Sequence, residues 1–234
     1  MPQRVGLIIP SSNRMVEQEM LRYFPEGVVP HVNRLRMTGP NKKPLHDLLP
    51  DVERACGELL DAKCDVIAFH CTANSMAEGS EGEASLLDAL RRSGAPKVAT
   101  TSTAVMNALE TLDAKSIALI TPYSQKATEE ETHFFDEAGV AIAYAKGCDR
   151  GGSDAYCATP PAFWSAEVAA LPHKNFDALF LSCANIACIG LVDDMEKSLE
   201  RPVITSNQVV IWETLRLLGW QGALKPPGRI FSSI

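Results

Sequence analysis

CDVIAFHCTAN, residues 64–74, is echoed by FDALFLSCANI, residues 176–186. Each carries an acidic residue, a run of apolar residues, and then a cysteine followed by small hydrogen-bonding residues. A short apolar run closed by such residues is the pattern of a strand buried in a parallel sheet. Two further pairs flank it in the same order: RVGLIIPSSN matches SIALITPYSQ, and KVATTSTAVMNALETL matches PVITSNQVVIWETL. Pro10 and Pro122 stand 112 residues apart, as do Cys71 and Cys183, while the third pair has slipped to about 103–105. Three matched pairs in one order point to an internal duplication.

Around these pairs, aliphatic runs alternate with amphipathic segments, the signature of βα units around a parallel sheet. Strands are expected at 4–10, 28–37, 64–70, 97–102, 116–122, 140–147, 176–182 and 202–206. Helical spacing or composition marks MVEQEMLRYF, LLPDVERACGELLDA, EASLLDALRRSG, TAVMNALETL, ATEEETHFFDEAG, FWSAEVAAL and MEKSLER, and QVVIWETLRLLG closes the chain. The expected fold is α/β: two pseudo-symmetric lobes, each a mainly parallel four-stranded sheet flanked by helices. The N-terminal lobe is expected at 1–111, joined by the C-terminal helix 207–234, and the C-terminal lobe at 112–206. Ligands of open parallel sheets sit beyond the carboxyl ends of the strands, so both cysteine motifs are expected to face one cleft between the lobes.

Cys71 and Cys183 are the candidate catalytic pair. Each stands at a strand-to-helix junction, where a helix N-terminus and free N–H groups are expected to lower a thiol pKa. Thr72 and Ala73 follow the first cysteine, Ala184 and Asn185 the second, and their amides are candidate anion ligands. Ser12 and Asn13, in PSSN, are natural N-cap residues at a site that also suits a carboxylate. Tyr123 and Ser124 hold the corresponding place in the second half; Tyr123 either packs over the strand end or reaches the cleft as a phenolic donor. Thr101, Ser102, Thr103, Thr205, Ser206 and Asn207 add hydroxyl and amide groups at strand ends. His70 precedes Cys71, but neighbouring side chains on a strand point to opposite faces, so a core or supporting histidine is expected. GSEGE at 79–83 and RGGSD at 150–154 fit no nucleotide-binding pattern and are expected to be loops covering the cleft.

The chain has 234 residues, 46% of them hydrophobic, and a net charge of −7 without a basic block, so a nucleic-acid partner has no electrostatic footprint. No segment approaches the roughly 18 apolar residues of a membrane span. The seven cysteines are an odd number without disulfide-framework spacing, and His31, His46, His70, His133 and His173 are scattered. Free thiols, a cytoplasmic location and no metal are therefore expected. Apolar helix surface is compatible with a homodimer or higher homo-oligomer.

PSSN after the first strand, a cysteine after the third, PY after the fifth and SC after the seventh together resemble the aspartate/glutamate racemase superfamily, in its branch of maleate cis–trans isomerases and arylmalonate decarboxylases. The resemblance spans essentially the whole chain and implies chemistry without a cofactor on a small carboxylic acid. It implies Cys71 as the nucleophile that adds to a double bond, Cys183 as proton donor, and Asn13 and Tyr123 as carboxylate ligands. From the decarboxylases it implies Thr72 and Tyr123 in a dioxyanion hole, although those enzymes carry glycine where this chain has Cys71. Conversion of maleate to fumarate is the leading expectation. Amino-acid racemisation or epimerisation, decarboxylation and non-catalytic anion binding are the alternatives. The loop RGGSDAYCATPP offers Asp154, which would repel a second carboxylate if it reached the cleft.

Overall fold

The computed structural model describes residues 1–172 and 175–234; His173 lies outside the described residues. The first half runs β1 (Gln3–Pro10), α1 (Val16–Tyr23), β2 (Val28–Leu35), α2 (Leu45–Asp61), β3 (Val66–Phe69), α3 (Thr72–Met76), α4 (Gly79–Arg92), β4 (Val98–Thr100) and α5 (Thr101–Thr111). The second runs β5 (Ser116–Thr121), α6 (Gln125–Glu137), β6 (Ala141–Gly147), α7 (Ser153–Ala158), α8 (Pro161–Ala169), β7 (Ala178–Leu181), α9 (Val192–Leu199), β8 (Val203–Thr205) and α10 (Ser206–Leu218). Each half forms one four-stranded sheet, ordered β2-β1-β3-β4 and β6-β5-β7-β8. Every pairing is parallel. The duplicated sequence has thus become a duplicated topology, with β3 and β7 in equivalent inner positions.

Both inner strands are buried at every residue, which is why they read as unbroken apolar runs rather than alternating ones. Strand alternation divides their side chains between two layers. Leu7, Ile9, Ala68, Leu119 and Phe180 join a core that spans both halves. Ile8, Ile67 and Phe69 face a separate cluster under α2 and α4, and Ile120, Leu179 and Leu181 face one beside α8 and α9. The shared core joins the halves, and α10 runs through it, buried from Ser206 to Leu215. A capping box starts this helix, with the Thr205 side chain accepting from Gln208 N and the Gln208 side chain accepting from Thr205 N. α10 packs against α5, α1, β3 and β4 of the first half.

One local expectation is corrected here. GSEGE is the first turn and a half of α4 rather than a covering loop. Gly82 belongs inside that helix because a Cβ there would come within 2.6 Å of the Glu78 Cβ. Helices α3 and α7 escape a periodicity search because five and six residues contain too few repeats to register. Among the described residues no helix is long and apolar enough to cross a membrane.

Gly147, at the end of β6, lies so close to the turn after β5 that a Cβ would meet the Gln125 nitrogen and the Ser124 carbonyl carbon at 2.8 Å. Backbone on both sides leaves little room for relief. Gly147→Ala is expected to lower unfolding free energy by about 1–3 kcal/mol, measured by urea denaturation.

Candidate active site

The segments that follow β3 and β7 bring Cys71 and Cys183 to the lining of one cavity of about 250 Å³. This is smaller than the roughly 300–1,000 Å³ of sites for drug-sized ligands, so its occupant is small. Each cysteine is only 5% exposed. Cys71 is extended and forms the N-cap of α3, with no capping bond to its side chain. Cys183 has φ +144°, a conformation that residues with a Cβ rarely adopt. Such strain persists only where surrounding contacts over-determine it. Its N–H donates to Ser206 Oγ at 3.0 Å, and its sulfur accepts from Asn185 N at 3.3 Å.

The expected lowering of the thiol pKa is overturned. Burial pushes both Cys71 and Cys183 up to about 12, outweighing the hydrogen bonds that act in the other direction. α3 is only five residues long, so few aligned peptide dipoles oppose desolvation. Both groups are therefore neutral thiols in the resting protein at neutral pH.

The other candidate residues separate by what their polar atoms already do. Asn13 Oδ1 caps α1 by accepting from Met15 N and Val16 N, while its Nδ2 crosses to Ala184 O at 2.9 Å. Asn185 reciprocates, accepting from Arg14 N at 2.9 Å and donating to Ser153 O. The Thr72 hydroxyl donates to Ser206 Oγ at 2.9 Å, so its free contribution to the cavity is backbone. Ser12, Asn13, Thr72, Ala73, Tyr123, Ala184 and Asn185 all line the cavity. Ser124 does not: it caps α6, accepting from Ala127 N.

His70 points away from the cavity into the core, with Nδ1 3.0 Å from Thr101 Oγ1 and Nε2 2.8 Å from Asn207 Oδ1. Burial takes its pKa down to about 4 and keeps it neutral. Asp154 does not reach the cysteines; it is exposed and pairs with Arg14. The segment expected as a covering loop turns into α7 at Ser153 and lines the cleft through Gly152, Ser153 and Tyr156, with Ser12 Oγ 3.1 Å from Ser153 Oγ. All seven cysteines are free. Among the described residues no group of three or more His, Cys, Asp or Glu is arranged to hold a metal ion.

Sequence reasoning missed Lys42, Thr38 and Tyr156. Among the described residues Lys42 is the one charged side chain lining the cavity, and it comes from the turn after β2. The strand-end rule that located the cysteines, applied to β2 as well, would have found it. Tyr156 meets Tyr123 edge to face at 5.6 Å and forms an aromatic wall near Cys183.

A family model described as arylmalonate decarboxylase (Amdase) matches residues 5–231. The chain belongs to this family. Among curated members of its wider kinship, the maleate isomerase of Geobacillus stearothermophilus is 27% identical over 98% of this chain and 97% of its own. The arylmalonate decarboxylase of Bordetella bronchiseptica is 24% identical over 97% and 95%. Among solved structures, a cysteine-to-serine mutant of the Nocardia farcinica maleate cis–trans isomerase with a covalently bound succinylcysteine intermediate superposes with a TM-score of 0.89 at 25% identity, covering 100% of both chains. The two-sheet fold of this chain is thus the fold of the Amdase family and its isomerase relatives.

Two outcomes follow from this geometry. With the isolated protein near neutral pH, iodoacetamide is expected to label the partly exposed Cys157 before Cys71 or Cys183, as read by peptide mass spectrometry. Ser206→Ala leaves the Cys183 N–H and the Thr72 hydroxyl without their acceptor and is expected to cost about 1–3 kcal/mol in chemical denaturation.

Proposed function

We propose that this Amdase-family protein is a cofactor-independent isomerase that converts maleate to fumarate, with Cys71 as nucleophile and Cys183 as proton donor. The observation that carries the reading is the pair of thiols at equivalent positions of the duplicated sheets, lining one small cavity. The named isomerase relatives, and the succinylcysteine in the one from Nocardia, support it. Two thiols, rather than one, favour isomerisation over decarboxylation.

In this reading Cys71 loses its proton to solvent as its sulfur adds to one alkene carbon. The π electron pair moves to the adjacent carbon and its carboxylate. Cys183 protonates that carbon, the new single bond rotates, Cys183 takes a proton back, and departure of the Cys71 sulfur restores the alkene in the trans form. Backbone N–H groups of the first turn of α3, the Asn13 amide and the Tyr123 hydroxyl are assigned to the carboxylates and the developing enediolate. Lys42 offsets the charge that a diacid brings into a site already hostile to anions. The two thiols can approach opposite faces of the substrate because they come from different lobes, 1–111 with 207–234 and 112–206.

The remaining assignments are a cytoplasmic protein with no nucleic-acid or membrane partner, supported by the seven free thiols and the net charge of −7. Self-association into a homodimer or higher homo-oligomer completes the reading.

Proton NMR of the protein incubated with maleate is expected to show fumarate growing as maleate falls. Cys71→Ser is expected to lower kcat by at least about 100-fold because the hydroxyl is a far weaker nucleophile. Lys42→Ala is expected to raise KM about tenfold with a smaller change in kcat, as loss of ground-state carboxylate binding requires. Full turnover by Cys71→Ser overturns the reading. Deuterium uptake at Cα of an amino acid, with no fumarate formed, replaces it with a racemase.

A further inference from the structure

The offset of 112 residues that pairs Cys71 with Cys183 also pairs Glu19 with Glu131, on the first helices of the two halves, α1 and α6. Both acids are buried, at 7% and 3% exposure, and among the described residues neither belongs to a salt bridge. A buried carboxyl group without a cation is stable only if it is hydrogen-bonded and uncharged. The duplication has kept two such groups: Glu131 bonds the residue that precedes Cys183, and Glu19 is linked to the residue that precedes Cys71 through Asn207.

They are not equally satisfied. Glu19 accepts from Ile189 N at 3.3 Å and from Asn207 Nδ2, and Asn207 in turn holds His70, the neighbour of Cys71. Both Glu19 oxygens have partners, so it reads as an anchor of the core. Glu131 Oε2 accepts from the hydroxyl of Ser182, the neighbour of Cys183, at 2.6 Å, whereas its Oε1 is fully buried with no protein partner. Glu131 also lines a small cavity of about 70 Å³ together with Lys42, Ala73 and Tyr123, three residues that line the cysteine cavity as well. A buried, half-satisfied carboxyl group therefore lies behind the wall of the cleft.

We propose that Glu131 is a positioning residue for the cysteine pair: its uncharged carboxyl group keeps a fixed negative charge away from the cleft, so that a thiolate can form there, and its ionisation opposes that thiolate. The proposal rests on reading Cys71 and Cys183 as the reactive pair. Burial raises Glu131 from the usual carboxylate range to about 8, so it is neutral below that pH and charged above it. The groups that feel its charge are Cys71, Cys183 and Tyr123. Lys42 and Glu130 also line its cavity, 3.9 Å apart and each more than half exposed, so that water screens their effect on Glu131. No residue of α4 or β6, which also pack along α6, lines that cavity.

The test is the pH dependence of thiol alkylation in the full chain, wild type against Glu131→Gln, without substrate. Gln keeps an acceptor for Ser182 and cannot ionise. Iodoacetamide labelling of Cys71 and Cys183, read by peptide mass spectrometry, is expected to proceed at matching rates at about pH 6.5. By about pH 9 the variant is expected to be faster by about fivefold to tenfold, because a carboxylate nearby in a poorly solvated site shifts a thiol by about that much. A ratio that stays constant with pH is what a purely structural role gives, and it overturns the proposal. Alkylation needs no isomerase turnover, so failure to convert maleate leaves this test intact. Should Glu131→Gln fail to fold, carboxyl carbon NMR of glutamate-labelled wild-type protein decides: a carboxyl group titrating near pH 8 is expected, and its absence contradicts the proposal.

Discussion

The Ser206 hydroxyl takes one hydrogen bond from the backbone of Cys183 and another from the side chain of Thr72, the residue after Cys71. One oxygen, fully buried at the start of α10, therefore fixes both cysteine junctions at once. The rest of the site depends on this joint because the two thiols belong to separate sheets. A second set of ties surrounds it: Asn13 reaches Ala184, and Asn185 reaches back to Arg14 and on to Ser153. Between them the two strand-end turns and the covering loop form one hydrogen-bonded frame. Such a frame also accounts for the positive φ of Cys183, which its N–H bond to Ser206 and the Asn185 bond to its sulfur hold in place.

That frame exacts a chemical consequence. Enclosing the cavity removes water from the thiols, and desolvation raises both to about 12. A neutral Cys183 is suited to donating a proton, but Cys71 must lose one before it can add to an alkene. Every fixed charge near the pair therefore matters more than it would at the surface. Among the described residues Lys42 is the single cation along the wall, His70 stays neutral in the core, and Asp154 is turned outward onto Arg14. A diacid entering such a site meets one positive charge and otherwise neutral donors, which selects for a small anion while the thiols rest protonated.

Much of this was legible in the sequence because burial leaves a mark on composition. β3 and β7, enclosed on both faces, had to be apolar throughout, and the cysteines ending them stood out by their repetition. The opposite orientation of His70 followed from strand alternation alone. What stayed hidden depends on distance across the molecule. The direction of the thiol shifts is set by the depth of the cleft, which no local motif encodes, and Lys42 enters from the turn after β2 and Tyr156 from the short helix α7, whose paths the sequence does not fix. GSEGE reads as a loop because its two glycines are poor helix formers, yet tight packing of Gly82 against Glu78 requires one of them. Glu19 and Glu131 sit among other acids, in VEQEM and EEET, and read as solvated helix faces until the fold turns them inward.

The claim that two opposed sulfurs act on one small diacid is tested most directly by trapping. Cys183→Ser protein incubated with maleate, digested and mapped by mass spectrometry, is expected to carry one added maleic acid on the peptide containing Cys71 and on no other cysteine peptide. An adduct confined to Cys157 or another thiol, or fumarate formation with Cys71 replaced by alanine, would contradict the account.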